Sequence, residues 1–311
     1  MIQVKNLVKR YGDLVALDHF DLDVHKGEIF GLLGPNGSGK TTAINCMLSL
    51  LKYSKGDISL FGEPMSPNSY GLKKRIGVVM QNVAVFNELT VVENIDYFCG
   101  LYVTDKKKRR ALIDDAIEFT GLGDFRKFLP KKLSGGLLRR LNIACGIAHK
   151  PELIFLDEPT VAVDPQSRNH ILEGIRQLNR DGATVVYTSH YMEEVEQLCS
   201  RIMIMDKGRA VATGTKEELK AMIRTGEKLT AEIFDLPDSV LGEIRDIEGI
   251  FQADYDDTEN RLTARYPADG RHLIAVLDTL RQGGVAFGRI TSDPPTLNDV
   301  FLEITGKELK D

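Results

Sequence analysis

The most constraining feature of the sequence is a glycine-rich segment, Gly34–Thr41, which fits the pattern G-x-x-x-x-G-K-[ST] at every position. Glycines in this pattern let successive backbone N–H groups point at phosphate oxygens, and the lysine adds a positive charge. The apolar run Glu28–Leu33 predicts a buried strand before the segment, and Thr42–Leu51 predicts a helix after it. Because the N-terminus of a helix favours an anion, this context predicts a nucleoside triphosphate site rather than a turn without function.

Length and charge limit the class of protein. A chain of 311 residues is long enough for two domains. Lys and Arg total 40 against 45 Asp and Glu, which argues against an extended basic surface for nucleic acid. No apolar run approaches the roughly 20 residues that span a bilayer, and Met1–Lys5 does not resemble a signal peptide. We therefore expect a soluble cytoplasmic chain that reaches a membrane only through a partner.

The cysteines are widely spaced and form no C-x-x-C pair. They stand at positions Cys46, Cys99, Cys145 and Cys199. This spacing predicts small apolar residues in a reducing compartment, neither disulfides nor metal ligands.

The chain divides by pattern into residues 1–225 and 226–311. In the first part, short apolar runs alternate with helical segments, as in a doubly wound α/β domain, and residues from about 88 to 150 read as an inserted helical subdomain. The second part reads strand, helix, strand, strand, helix, strand, with the second helix running from Gly270 to Arg281. This order predicts a small α+β ferredoxin-like domain, followed by a last helix after Pro294-Pro295.

Further signals follow the glycine-rich segment. The apolar run Leu153–Leu156 ends in Asp157 and Glu158, which supply a carboxylate for a metal ion and a base for an attacking water. Four other places in the chain, one of them before the glycine-rich segment, carry polar or aromatic groups suited to a ligand site. They contain Tyr11, Gln81, Ser134, Gly135, Gly136 and His190.

With these residues the chain resembles the ATPase subunit of an ABC transporter over residues 2–220. The resemblance implies an α/β P-loop NTPase cassette with a mixed sheet and the inserted helical subdomain. It also implies ATP and Mg²⁺ as ligands. The implied ATP-binding residues are Tyr11, Gly34, Pro35, Asn36, Gly37, Ser38, Gly39, Lys40, Thr41, Thr42, Ser134, Gly135 and Gly136. The implied metal-binding residues are Thr41, Gln81 and Asp157, and the implied catalytic residues are Glu158, His190 and Gln81.

For two positions, Tyr11 and Asp164, a purely structural role is the alternative to the role that the resemblance implies. Tyr11 is implied to stack on adenine, but an aromatic residue in an N-terminal hairpin also packs on the core. Asp164 is implied to lie in the loop joining two sites, but it also suits the start of a helix before Pro165. Two departures from the family pattern are Leu137, where Gln is usual, and the sequence Val161–Asp164.

The resemblance also implies partners. Two copies facing head to tail would each supply Ser134–Gly136 to the ATP bound by the other. The conformational change that follows would act on an integral-membrane permease. The closing segment Pro294–Gly306 resembles ATPases of ABC-2 type drug and antibiotic exporters, and the domain that carries it is expected to shield or stabilise the dimer. The basic run Lys106–Arg110 is either a solvated helix face or a surface for anionic headgroups or an acidic loop of the partner.

Two other functions remain open at this stage. One is a non-transport ABC protein that acts on ribosomes or nucleic acid, and the other is an ATP-binding regulatory module. The absence of a second cassette and of a long coiled-coil insertion disfavours the first, and the Asp157–Glu158 pair disfavours the second.

Overall fold

Strands and helices alternate along the first part of the chain. The structure is a computed structural model and describes residues 1–223, 226–267 and 271–306. The strands are β1 (Ile2–Tyr11), β2 (Leu14–Val24), β3 (Ile29–Leu33), β4 (Lys55–Leu60), β5 (Glu63–Pro64), β6 (Ile76–Val79), β7 (Leu153–Asp157), β8 (Thr184–Ser189), β9 (Arg201–Asp206) and β10 (Arg209–Gly214). The α-helices are α1 (Lys40–Met47), α2 (Tyr70–Lys73), α3 (Val91–Gly100), α4 (Lys106–Phe119), α5 (Gly135–Ile147), α6 (Pro165–Arg180), α7 (Met192–Leu198) and α8 (Lys216–Ala221).

The central sheet is mixed, in the spatial order β10-β9-β3-β8-β7-β6. Its strands pair in parallel except for β9 with β10. Strands β3 and β7 are buried at every residue, because helices and a second sheet cover both faces of a parallel sheet. The carboxyl ends of β3, β7 and β8 therefore meet at one edge, which is where α/β proteins place their ligands.

A smaller antiparallel sheet, in the order β2-β1-β4-β5, completes the core of this part. One apolar cluster includes Phe20 of β2, Phe30 of β3, Ile44 of α1 and Phe155 of β7, all without exposed surface. The cluster joins both sheets and α1, so it fixes the glycine-rich segment between β3 and α1.

The segment between β6 and β7 is fully described and contains helices α3, α4 and α5 without a strand. These helices share an apolar cluster that includes Ile95, Ile117 and Leu141. The basic run forms the first turn of α4, where Asp105 caps the helix and Arg109 pairs with Asp96 at 2.7 Å. The other four residues of the run are exposed.

The chain divides into two compact units, Met1–Lys216 and a second one that begins at Glu217. The pattern-based boundary at 225 and 226 therefore lies within the second unit by this division, and residue 225 itself lies outside the described residues. No helix within the described ranges is long and apolar enough to cross a membrane.

The second unit contains the predicted order of elements. They are β11 (Glu227–Ile233), α9 (Asp238–Asp246), β12 (Gln252–Asp256), β13 (Arg261–Tyr266), α10 (Arg271–Gln282), β14 (Phe287–Asp293) and α11 (Leu297–Thr305). The antiparallel sheet runs β12-β13-β11-β14, which is the ferredoxin-like arrangement. Gly270, the expected first residue of the second helix, lies outside the described residues.

Apolar alternation explains the packing of the second unit. Leu229, Leu262, Val276 and Leu280 have no exposed surface and form one cluster between the sheet and its helices. Helix α11 begins with a capping box in which Thr296 Oγ1 accepts from the Asp299 amide at 3.2 Å and Asp299 accepts from the Thr296 amide at 2.9 Å.

One helix is shorter than its sequence suggests. Helix α1 begins at Lys40 and ends at Met47, whereas the apolar pattern predicts residues up to Leu51. Ser49 adopts a φ of 52°, in the left-handed region, so the α-helix does not continue through it.

Candidate nucleotide-binding site

The glycine-rich segment forms a loop that only glycine permits at key positions. Gly37 and Gly39 have φ values of 81° and 107°, in the left-handed region. A β-carbon on Gly39 would lie 2.8 Å from the Ala16 carbonyl oxygen, and one on Gly34 would clash with the Met205 carbonyl oxygen. The loop therefore packs so closely against neighbouring backbone that Gly34 and Gly39 leave no room for a side chain.

Lys40 is the buried cation of the site. Its ammonium group donates to the carbonyl oxygens of Gly34 at 2.8 Å and Pro35 at 3.2 Å, and it lies 3.4 Å from Glu158 Oε1. Burial lowers the pKa of Lys40, while the carboxylates of Glu158 and Asp157 oppose that shift. A bound phosphate would favour the charged ammonium further, because it brings more negative charge to a group that is only 5% exposed.

The strand ends bring a hydroxyl and a carboxylate together. The Thr41 hydroxyl donates to Asp157 Oδ2 at 2.8 Å, across 116 residues of sequence. The Thr188 hydroxyl donates to Asp157 Oδ1 at 2.7 Å and accepts from the Glu158 amide at 2.9 Å. Hydroxyl and carboxylate oxygens are the ligands that Mg²⁺ prefers, so these residues fit a magnesium ion held jointly with a triphosphate.

Glu158 is the centre of the predicted catalytic group. Its carboxylate accepts from Gln81 Nε2 at 3.0 Å and lies 3.4 Å from His190 Nδ1. Its backbone has a φ of 48°, an unfavourable conformation for a non-glycine residue. The structure therefore gathers Lys40, Gln81 and His190 around this one carboxylate.

A cavity of about 600 Å³ lies at this edge of the sheet. Residues that line it are Tyr11, Leu14, Val15, Ala16, Asn36, Gly37, Gly39, Lys40, Thr41, Thr42, Gln81, Glu158 and Lys207. Tyr11 is 45% exposed, and its stacking on adenine stays a prediction. Its ring faces the Lys9 ammonium at 4.5 Å and is accessible to a stacking base.

A second cavity of about 620 Å³ lies at the opposite edge of the sheet, where Glu152 precedes β7 and Ala183 precedes β8. Its lining includes none of the predicted site residues. The first cavity, by contrast, is lined by the glycine-rich loop and by Glu158, so the predicted nucleotide site corresponds to that cavity.

Ser134, Gly135 and Gly136 lie apart from that cavity in the same chain. Ser134 caps α5, accepting from the Leu137 amide at 3.3 Å. A β-carbon on Gly136 would lie 2.8 Å from Asp164 Oδ2 and still closer to the Ser167 hydroxyl. The serine–glycine turn is thus in close contact with the start of α6.

Asp164 and Leu137 have local structural roles. Asp164 Oδ1 accepts from the Ser167 amide at 2.9 Å and caps α6, as the purely structural alternative predicts. This hydrogen bond lowers the pKa of Asp164. Leu137 is partly buried against the apolar cluster of helices α3–α5, so the departure from Gln adds an apolar contact there.

Comparison with known proteins identifies the family. A family model described as ABC transporter matches residues 17–161. The linearmycin resistance ATP-binding protein LnrL of Bacillus subtilis (strain 168) is 37% identical over 318 residues, which cover 100% of both chains. The chain belongs to the ABC transporter family of ATP-binding proteins.

Other similarities agree with this ABC ATPase. The daunorubicin resistance ATP-binding protein DrrA3 of Streptomyces coeruleorubidus is 34% identical over 99% of this chain and 96% of its own length. A solved dimeric structure of the ATP-binding cassette MJ0796, in a post-hydrolysis state bound to ADP and Pi, is 28% identical with a TM-score of 0.64. It covers 69% of this chain and 98% of that one. The expected ABC fold and ATPase activity are confirmed.

Three residues at or beside the site of this ABC ATPase are missing from the sequence-based prediction. Thr188 links Asp157 to Glu158, Lys207 lines the cavity, and Glu194 lies buried behind His190. A threonine inside an apolar strand, a lysine in a turn and a glutamate on a helix carry no motif. Only the packing of distant segments reveals their positions.

Proposed function

We propose that this ABC ATPase energises the export of a drug, antibiotic or lipid-like compound through a separate membrane permease. The observation that carries this proposal is similarity along the whole chain, second unit included, to resistance ATP-binding proteins for linearmycin and daunorubicin. Linearmycin and daunorubicin are named for the relatives only. For this chain we propose only the general class of cargo, and a position at the cytoplasmic face of the membrane.

In the proposed hydrolysis, Glu158 accepts a proton from the attacking water. Gln81 and His190 hold its carboxylate in place, and Lys40 faces the β- and γ-phosphates of ATP. Thr41 and Asp157 are the residues that would hold Mg²⁺, with Gln81 at the same edge. When bound, this ion neutralises phosphate charge and so favours transfer to water.

We further propose that the active form is a head-to-tail pair of chains. In support, Ser134, Gly135 and Gly136 do not line the cavity of their own chain, although the family resemblance assigns them to ATP. A twofold pair lets each copy present this turn to the other's phosphate loop. The second unit is proposed to stabilise that pair.

Mixing two inactive variants tests this arrangement. Lys40→Ala removes the phosphate-binding cation, and Ser134→Arg blocks the serine–glycine turn. Their mixed dimer retains one intact composite site, so we expect measurable ATP hydrolysis from the mixture and none from either variant alone. A mixture of Lys40→Ala with Glu158→Gln is the matched control, since both changes affect the same half-site and leave no intact one. If neither mixture hydrolysed ATP, the head-to-tail pair would be contradicted.

Export itself needs a permease. We expect the chain to sediment with membranes only when an integral-membrane partner is present, and Lys40→Ala cells to become sensitive to the exported compound. Sedimentation with ribosomes or nucleic acid instead would favour the non-transport alternative.

A further inference from the structure

Next to the proposed catalytic group lies a third buried carboxylate, Glu194 of α7, which is 4% exposed. Its Oε2 accepts from the Tyr187 hydroxyl at 2.7 Å, the Thr160 hydroxyl at 2.8 Å and the Ser189 hydroxyl at 3.2 Å. Hydrogen bonds to an ionised acceptor are about twice as strong as neutral ones. Three hydroxyls from three separate positions therefore converge on a single oxygen atom.

Two of the three donors lie close in sequence to the proposed catalytic residues. Thr160 follows Glu158 by two residues, and Ser189 immediately precedes His190. Ser189 also accepts from the Tyr191 amide at 2.9 Å, which fixes the backbone on the far side of His190. The two chain segments that carry the Glu158–His190 contact are thus held from behind by the same carboxylate.

Arg168 provides the charge that balances Glu194. Its Nε lies 3.3 Å from Glu194 Oε1, and its guanidinium stacks on the Tyr191 ring at 4.9 Å. The Tyr191 ring in turn lies 4.1 Å from the His190 ring. A second path, through the Arg168 guanidinium and the Tyr191 ring, therefore also connects Glu194 to His190.

We propose that Glu194 is a positioning residue for ATP hydrolysis: its carboxylate ties Thr160 to Ser189 and so holds Glu158 against His190. This inference rests on the proposed roles of Glu158 and His190. A buried carboxylate that only filled space would be costly, because burying a charge destabilises a fold unless partners meet it. Here the partners are the flanks of the catalytic pair.

Substitutions of nearly equal shape test the proposal in the full-length protein. Glu194→Gln keeps the volume and removes the charge, and Thr160→Val removes one donor. For each we expect kcat for ATP hydrolysis to fall about tenfold, the size of a coupling within one hydrogen-bonded network, with KM for ATP within about twofold of wild type. Glu193→Gln, on the exposed neighbour in the same helix, is the matched control and keeps the wild-type rate. Thr160→Ser retains the hydroxyl and is expected to recover most of the rate.

A double substitution distinguishes positioning from general support. If Glu194 acts through His190, adding Glu194→Gln to His190→Ala slows single-turnover hydrolysis by less than about threefold beyond His190→Ala alone. A further full tenfold loss, a Thr160→Ser rate as low as that of Thr160→Val, or an unchanged kcat in Glu194→Gln would each overturn the proposal. Glu158→Gln is measured in parallel. If it hydrolyses ATP at the wild-type rate, the proposed function fails first, and if it is inactive while Glu194→Gln is unaffected, only this inference fails.

Discussion

The two units of this ABC ATPase differ in what they bury. Every buried polar or charged side chain found within the described residues belongs to the first unit. They are Ser38, Lys40, Asn94, Thr120, Arg139, Asn142, Asp157, Glu158, Thr160, Ser167, Thr184, Thr188, Ser189 and Glu194. Among the described residues of the second unit the buried side chains are aliphatic or aromatic, and the hydroxyl of Tyr266 pairs with Ser292 Oγ at 2.9 Å.

The two cores therefore depend on different kinds of interaction for their stability. An apolar core gains stability from burial directly, whereas a buried polar group is costly unless it is hydrogen-bonded. In the first unit many of these groups meet that requirement through hydrogen bonds to the backbone or to other side chains, as Thr188 does between Asp157 and Glu158. Substitutions in the first unit should therefore change catalysis most, and those in the second should change stability most.

The largest expected effect is on Glu158. Glu158→Gln removes the proposed base and should lower kcat by about 10²–10⁴-fold, because a positioned base contributes that much to proton transfer. Binding of ATP should persist, since Lys40 and the loop are unchanged. Steady-state hydrolysis and nucleotide-binding titrations measure the two quantities. The exposed Glu88→Gln is the control, and a wild-type turnover in Glu158→Gln would mean that another group is the base.

The next effect concerns the second unit. Leu262 has no exposed surface, so Leu262→Ala should lower the free energy of unfolding by about 2–5 kcal/mol, from lost burial and the cavity left behind. The kcat of the folded protein should stay at its wild-type value. Denaturant unfolding and ATPase assays below the transition test both statements. Leu302→Ala, at an exposed position of α11, is the matched control, and a drop in kcat caused by Leu262→Ala alone would show that the units are not separable.

A smaller effect is expected within the first unit at Thr188. Thr188→Val leaves the Glu158 amide and one Asp157 oxygen without the hydroxyl, which costs about 1–3 kcal/mol for a buried group. We expect lower stability together with an approximately tenfold lower kcat, measured by thermal unfolding and hydrolysis. Thr188→Ser should restore both. Loss of stability with full activity would indicate a purely structural role.

The smallest effect is a pH dependence in the second unit. Burial raises the pKa of Asp299, but hydrogen bonds from Thr296 and Arg265 outweigh it, so the net pKa lies below its ordinary value of 3.8. The carboxylate therefore adds stability above that value and loses it as the pH falls through the lowered pKa. We expect the difference in Tm between wild type and Asp299→Asn to shrink as the pH falls below about 3.8. A constant difference between pH 6 and pH 3 would exclude this contribution of the cap.

The sequence predicts local structure well where a motif and a periodicity agree. The strand before the glycine-rich segment, the helices between residues 88 and 150, and the βαββαβ order of the second unit all occur in the structure. The end of α1 differs, because the apolar pattern continues to Leu51 while the backbone turns at Ser49. Apolar spacing reports which face is buried, but not where a helix stops.

The site is only partly predictable, for a physical reason. Thr41 and Asp157 are recognisable separately by motif, but their contact depends on how strands far apart in sequence pair in the sheet. Thr188 and Glu194 have no motif of their own, and their roles come from hydrogen bonds made only in the folded chain. The assigned roles of Ser134–Gly136 require a second molecule and stay a prediction.

The backbone of Glu158 has a consequence for how such a chain can evolve. A non-glycine residue with a φ of 48° costs about 1–3 kcal/mol, which a glycine at the same place would largely avoid. A glycine that relieved this backbone cost would therefore also remove the carboxylate that we propose as the base, together with its contacts to Gln81 and Lys40. At this one position the conformational preference of the main chain and the proposed catalytic role favour different residues.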